Sequence, residues 1–333
     1  MSQRELSGLT FGIYPLSVAG TPFGLAQGPE DNYEKIQMAI RDLKGDSKRL
    51  FSRNYLIYTK KWEAKMLSRA EQYLDAGLLE DLTLGVGDWT EEQETEIDIF
   101  NWLEFIRKVI NKYGSRLTSL QITNEPNLSF MEGSKPYIMQ ALVEGVITAK
   151  QEAKKLNLPL KIGFGSVPES QAAVPHFWEN LARAGGELFI ESVDFVGHNF
   201  YVDVFDEQPI DLKDIPASVE RTLRDLREIH LRTAGIPSSV PIRVTENGWP
   251  TGKNPITNRE RSYEHQSTIL EVIIQTIYKL RSELNISHYE LFGLRDADSN
   301  KEDLFHQYGI MRDDYSSKPA YFTFKKLIQE LGE

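Results

Sequence analysis

The chain has 333 residues and no cysteine, which excludes disulfides, thiolate nucleophiles and cysteine-bound metals and fits a reducing compartment. It also has no apolar stretch near the roughly 20 residues that a membrane-spanning helix needs. The opening residues, Met1-Ser2-Gln3-Arg4-Glu5-Leu6-Ser7, are polar, and no apolar run of the secretory type follows them. The expected location is the cytoplasm, with secretion as the alternative if a signal was removed. Positive charge is scarce: 38 Lys and Arg stand against 49 Asp and Glu, a net −11. Nucleic acid, whose phosphates need a basic footprint, is therefore not an expected partner, and neither is an anionic membrane surface.

The six histidines (His176, His198, His230, His265, His288, His306) lie too far apart for metal-ligand spacing. Gly163-Phe164-Gly165 lacks the third glycine of a dinucleotide loop, and no phosphate-binding loop or nucleophile elbow occurs. No cofactor and no metal is expected. Asn127-Leu128-Ser129 and Asn285-Ile286-Ser287 match glycosylation acceptors, a match that matters only on secretion.

What is present suits a folded globular chain, 40% hydrophobic and 26% charged and long enough for one large α/β barrel or two smaller domains. Apolar runs of strand character at 9–14, 50–58, 81–86, 120–127, 161–167, 193–204, 241–247 and 289–294 alternate with helical spacing. The helices are expected at 33–43, 61–76, 94–113, 136–156, 177–184, 217–234, 264–284 and 321–331, several closed by glycine. Eight alternations without a linker or low-complexity stretch predict a single (β/α)8 TIM barrel domain over 1–333. A doubly wound open sheet shows the same alternation, but it would more often carry a Gly-rich turn after its first strand, and none is present.

Two of these strands end alike. Leu120-Gln121-Ile122-Thr123-Asn124-Glu125 breaks at Pro126, and Pro241-Ile242-Arg243-Val244-Thr245-Glu246 breaks at Gly248. A Glu at one strand end is ordinarily a solvated surface residue. Two at strand ends four and seven, each inside a longer motif, fit the C-terminal face of a parallel barrel, where active sites sit. Such a pair can cleave a glycosidic bond with retention if the carboxyls lie about 5–5.5 Å apart, or with inversion at about 6.5–9.5 Å. One must be ionised and the other protonated, a division that a single nearby negative charge helps to set.

At these residues the sequence resembles clan A of the retaining glycoside hydrolases. Asn124-Glu125-Pro126 is similar to the clan's acid/base signature, Thr245-Glu246-Asn247-Gly248 to the nucleophile motif of family 1 β-glucosidases, and Trp249-Pro250 to the corresponding region of β-1,3-glucanase-like families. The resemblance implies a (β/α)8 barrel with Glu125 as acid/base and Glu246 as nucleophile. Asp194-Phe195-Val196-Gly197-His198-Asn199-Phe200-Tyr201 resembles the family 1 segment in which an Asn and a Tyr flank the nucleophile. That implies Asn199 at the sugar and Tyr201 as hydrogen-bond partner of Glu246. It further implies that Asn124 holds the sugar 2-hydroxyl, and that Arg53 on strand two bonds the nucleophile and keeps it ionised. The stretch from Gln307-Tyr308-Gly309 to Lys318-Pro319-Ala320-Tyr321 is also clan-like and reads as structural. One departure stands out: where the clan commonly places a sugar-flooring Trp after strand eight, this chain reads Phe292-Gly293-Leu294-Arg295-Asp296.

Other residues carry a bland alternative beside the functional one. Asn124 could simply make a turn before proline, and Arg53 could be a surface residue or pair elsewhere. His198 and Tyr201 could be core packing. Trp249 and Trp89, each following a strand end, are candidates for stacking on a sugar ring or for ordinary packing. Arg295, Asp296 and Asp298 line the barrel mouth or a solvated loop. The expected function is a retaining β-glycosidase with a carbohydrate substrate. A non-catalytic carbohydrate-binding barrel is the alternative, and an unrelated barrel lyase or isomerase comes last, since no Schiff-base Lys is legible at the strand ends.

Overall fold

A computed structural model describes residues 8–21, 24–46, 48–88, 96–206, 208–254 and 257–333. Short β-branched and apolar runs bounded by breakers form its strands. Several of them, β4 among them, are buried at every position, the signature of parallel strands covered on both faces. The strands are β1 (Thr10–Ile13), β2 (Leu50–Tyr58), β3 (Asp81–Val86), β4 (Ser119–Ile122), β5 (Lys161–Phe164), β6 (Phe195–Asn199), β7 (Ile242–Asn247) and β8 (Ile286–Leu291). They hydrogen-bond in that order and close into a parallel barrel, β8 returning to β1. The register runs Arg53↔Asp81, Asp81↔Ser119 and Ser119↔Lys161 across β2 to β5, and Thr10↔His288 between β1 and β8.

A helix follows each strand: α1 (Tyr33–Lys44), α2 (Glu63–Asp75), α3 (Ile99–Tyr113), α4 (Ile138–Lys155), α5 (Phe177–Ser192), α6 (Ile215–Arg224), α7 (Tyr263–Leu284) and α8 (Pro319–Leu331). No described helix is long and apolar enough to cross a membrane. The alternation read from the sequence is therefore the fold: a (β/α)8 TIM barrel. By packing, the chain gathers into two compact units. One comprises residues up to Ser52 with Phe200–Arg224 and Val244–Glu333; the other comprises Arg53–Asn199 with Asp225–Arg243.

Within the second unit, α3 shows how a helix covers the strands. Trp102, Phe105, Ile106, Val109 and Ile110 are buried on one stripe. Phe105 lies 4.8 Å from Tyr58 of β2, ring centre to ring centre, and the Trp102 indole donates to the Ala141 carbonyl of α4 at 3.0 Å. Each such ring contributes about 1.5–3 kcal/mol by leaving water. In the first unit Phe11 of β1 packs edge-on to Phe324 of α8 and to Tyr289 of β8.

Boundaries differ from the sequence reading where a cap or a bend decides them. Asp98 caps α3 by accepting the Asn101 N–H, so this helix begins at Ile99 and not at 94, and 94–95 lie outside the described residues. Helix α5 runs on past 184 to Ser192, with Gly186 breaking its path at φ 64°. The helix expected over 217–234 starts at Ile215 and passes after Arg224 into a π-helical stretch, Asp225–His230. Strand β8 starts three residues early, at Ile286, directly after Asn285 ends α7 in the left-handed conformation. Polar Ser287 and His288 hid that start. Two hairpins inside loops, Ala19–Thr21 with Gly24–Ala26 and Gly252–Lys253 with Glu260–Arg261, had no sequence signal.

Candidate active site

Strand β4 stops because Thr123 turns the chain at φ 63°, a left-handed conformation that costs a β-branched residue energy. Neighbours hold the turn. Thr123 donates its N–H to the Leu84 carbonyl at 2.8 Å, and the Gln121 amide donates to the Thr123 carbonyl at 3.0 Å. Asn124 and Glu125 therefore leave the chain just past the end of β4. Gly165, the residue after β5, is required here: a Cβ on it would stand 2.0 Å from the Asn124 carbonyl oxygen, so only glycine admits this approach. Beyond Pro126, Asn127 exchanges two 2.8 Å hydrogen bonds with the Val167 backbone and is wholly buried, so this Asn is closed to glycosylation.

Strand β6 contributes the amide that addresses the carboxyl. Asn199 donates from Nδ2 to Glu125 Oε1 at 3.1 Å and to Asn124 Oδ1 at 3.2 Å. Glu125 is 9% exposed, so its carboxyl is largely withdrawn from water. Alternation along β6 turns the preceding residue the other way. His198 is buried with Nδ1 2.9 Å from Ser166 Oγ, and burial, with His230 adding to it, pushes its imidazole down to about 3. It is thus a neutral ring packed on the opposite face of the strand from Asn199.

Arg53 is buried on β2. Its Nε donates to the Tyr55 hydroxyl at 2.9 Å, and Nη1 lies 3.9 Å from Asp81, whose other oxygen is 3.9 Å from Arg243 Nη1.

In the first unit, Glu246 occupies the end of β7 and is 6% exposed. The Tyr201 hydroxyl donates to Glu246 Oε2 at 2.9 Å, and the Phe200 N–H donates to the Glu246 carbonyl at 3.0 Å. The next residue, Asn247, faces the other way and is locked between the Phe200 carbonyl (2.8 Å) and the Tyr289 hydroxyl (2.9 Å). Gly248 must be glycine, because a Cβ there would meet the Phe292 carbonyl oxygen at 2.1 Å. Tyr201 is flanked edge-on by Phe205 and Tyr308. Phe292, just past the end of β8, stacks on Tyr14 with ring centres 4.8 Å apart and planes 3° from parallel.

Trp249 is 1% exposed, with the Arg261 guanidinium 5.1 Å over its ring and His265 4.8 Å away. Trp89 lies outside the described residues. Arg295 and Asp296 do not line a mouth: Arg295 is buried against Asp31 and the Pro29 carbonyl, and Asp296 is buried against Lys318. Among the described residues no group of three or more His, Asp or Glu side chains is arranged to hold a metal ion.

The structure thus assembles Asn124, Glu125 and Asn199 in one cluster and Tyr201 with Glu246 in another. Sequence reading passed over Glu132, whose buried carboxylate binds the backbone of Asn124 and Glu125. A Glu ten positions after a strand end gives no sequence signal of burial.

No family model matches this sequence, and no curated protein does. Solved structures share its fold. A family 17 β-1,3-glucanosyltransferase from Rhizomucor miehei is 16% identical with a TM-score of 0.55, over 93% of this chain and 96% of that one. A β-glucuronidase from Ruminococcus gnavus is 12% identical with a TM-score of 0.61, over 98% of this chain and 50% of that one. A family 39 glycoside hydrolase from the gut symbiont Bacteroides cellulosilyticus is 15% identical with a TM-score of 0.58, over 98% of this chain and 64% of that one. The chain therefore spans about half the length of the β-glucuronidases it matches. At these identities the likeness is one of fold, and it is the fold that the clan A resemblance implied.

Proposed function

We propose that this chain is a retaining glycoside hydrolase that cleaves β-glycosidic bonds without a cofactor. The observation that carries the reading is the paired provision at the end of β6. Asn199 donates to Glu125 and Tyr201, two residues on, donates to Glu246, so each strand-end carboxyl has its own orienting group. The glycoside hydrolases among its structural neighbours support the reading at the level of fold.

In the proposed reaction Glu246, ionised, attacks the anomeric carbon while Glu125 gives its proton to the departing oxygen. The alcohol leaves and a glycosyl-enzyme ester remains. Glu125, now a carboxylate, takes a proton from water. The hydroxide so formed attacks the same carbon, Glu246 departs as carboxylate, and Glu125 is again protonated. The side chains of Asn124, Asn199 and Arg53 orient the sugar and the nucleophile. The net charge of −11 suits a neutral carbohydrate better than a polyanion.

The test is a panel of aryl β-glucosides, galactosides, mannosides, xylosides, fucosides and glucuronides, followed by β-1,3-linked and other oligosaccharides. Turnover is expected with the β-anomer as first product by NMR. Glu246→Ala is expected to abolish it, and added azide to restore part of it as the α-glycosyl azide. Sugar binding with no turnover of any member would favour a non-catalytic carbohydrate-binding barrel. Undiminished activity of Glu246→Ala would remove that residue from its role.

A further inference from the structure

The loop that follows Glu125 ends in one turn of 3-10 helix, Glu132–Ser134, whose first side chain is only 3% exposed. A carboxylate that deep needs donors to replace water. Glu132 finds them in the backbone. Its Oε1 accepts the Val86 N–H at 2.8 Å, at the end of β3. Its Oε2 accepts two consecutive N–H groups, from Asn124 at 2.6 Å and Glu125 at 2.8 Å. Successive N–H groups turned onto one anion form the kind of concavity that binds anions elsewhere, and here the anion is the chain's own.

The neighbouring strand is shaped to admit it. A Cβ on Gly85 would stand 2.9 Å from Glu132 Oε1 and 2.6 Å from Ile57 Cδ1. The missing side chain at Gly85 is what lets the carboxylate lie against β3.

We propose that Glu132 is a positioning residue for Glu125. Gripping the peptide N–H groups on both sides of Asn124, the second of them Glu125's own, and anchored through its other oxygen to β3, it fixes the direction in which the acid/base carboxyl leaves the backbone. The strained turn at Thr123 then has a counterweight on each side: the strand ladder before it and the Glu132 carboxylate after it. This inference rests on the retaining-glycosidase reading above.

The readout is the dependence on leaving group. Dinitrophenolate departs without a proton, whereas phenolate needs one from Glu125. Glu132→Gln keeps the side-chain size but turns an NH2 toward backbone donors, so at least one grip is lost. On the phenyl β-glycoside of the sugar that the wild type turns over, kcat/KM should fall about a hundredfold, what an ångström of misplacement costs. On the dinitrophenyl glycoside it should change little. Azide, which attacks a glycosyl-enzyme without a general base, should speed dinitrophenyl glycoside turnover by the variant and not by the wild type.

Gly85→Ala, which pushes the Glu132 carboxylate without altering it, should give the same pattern and carries the test if Glu132→Gln does not fold. Equal losses on both substrates, or no loss on either, would overturn the proposal. Glu125→Ala, assayed alongside, separates the two readings. If it lacks the leaving-group dependence and azide gain, the retaining reading itself fails. If it shows both while Glu132→Gln and Gly85→Ala do not, only the role of Glu132 falls.

Discussion

Tyr201 donates its phenolic hydrogen to Glu246 across 2.9 Å, from a position two residues beyond the last residue of β6. A tyrosine hydroxyl can give one such bond, and giving it to a carboxylate fixes the carboxylate's rotation. A hydrogen bond to a charged group contributes about 1.5–3 kcal/mol. Tyr201→Phe is therefore expected to lower kcat/KM on aryl glycosides about ten- to a hundredfold with little change in melting temperature. Steady-state kinetics that leave kcat/KM unchanged would show that the bond does not serve the reaction.

Asn199 offers a change of charge at nearly constant size. Its amide lies 3.1 Å from Glu125 Oε1. Asn199→Asp places a second carboxylate there, and like charges oppose each other's ionisation. The proposed acid/base should then keep its proton to higher pH, so the upper limb of the kcat/KM profile moves upward. A limb that stays put, or moves down, would contradict the assignment of Glu125 as the acid.

His198 predicts a pH dependence of stability. Burial holds its imidazole at about 3 in the folded protein, against an ordinary 6.5. As pH falls through about 6.5 the unfolded chain takes up a proton that the folded chain refuses until about 3. The stabilisation is thus fully present above about 6.5 and is lost between about 6.5 and 3, at up to about 1.4 kcal/mol per pH unit. Thermal melts of His198→Gln should show a shallower decline across that window than the wild type. An equal slope would assign the acid sensitivity to other groups.

Lys318 and Asp296 form a pair with no exposed side-chain surface, Nζ to Oδ1 at 2.7 Å, and Lys318 also donates to Thr251 Oγ1 at 3.0 Å. Burial pulls the lysine down and pushes the aspartate up, so each charge is sustained by the other. Removing one partner strands the other: Lys318→Met should cost about 3–5 kcal/mol in denaturant unfolding. Lys318→Met with Asp296→Asn should cost less than the two single changes added together. Additive losses would mean the two groups are not coupled.

Period and punctuation were enough to read the barrel. Runs such as 50–58 and 81–86 were placed to the residue because apolar, β-branched strands bounded by breakers have few other stable arrangements, and eight of them alternating with amphipathic helices specify one architecture. Asn124-Glu125-Pro126 and Thr245-Glu246-Asn247 were legible as candidates for the same local reason, a breaker (Pro126, Gly248) one or two residues past a carboxyl side chain near a strand end. Glu132, Gly165 and the facing of His198 were not. Glu132 acts on atoms seven and eight positions away through the backbone, a contact that no spacing encodes. Gly165 matters because the Asn124 carbonyl, in the turn after a neighbouring strand, passes where its side chain would be. His198 and Asn199 are adjacent in sequence, and only the set of the strand decides which of the two reaches Glu125 and which is sealed behind it. What residues prefer along the chain is local and survives in the sequence; which polar groups meet once water is excluded depends on packing between strands, and folding alone decided that.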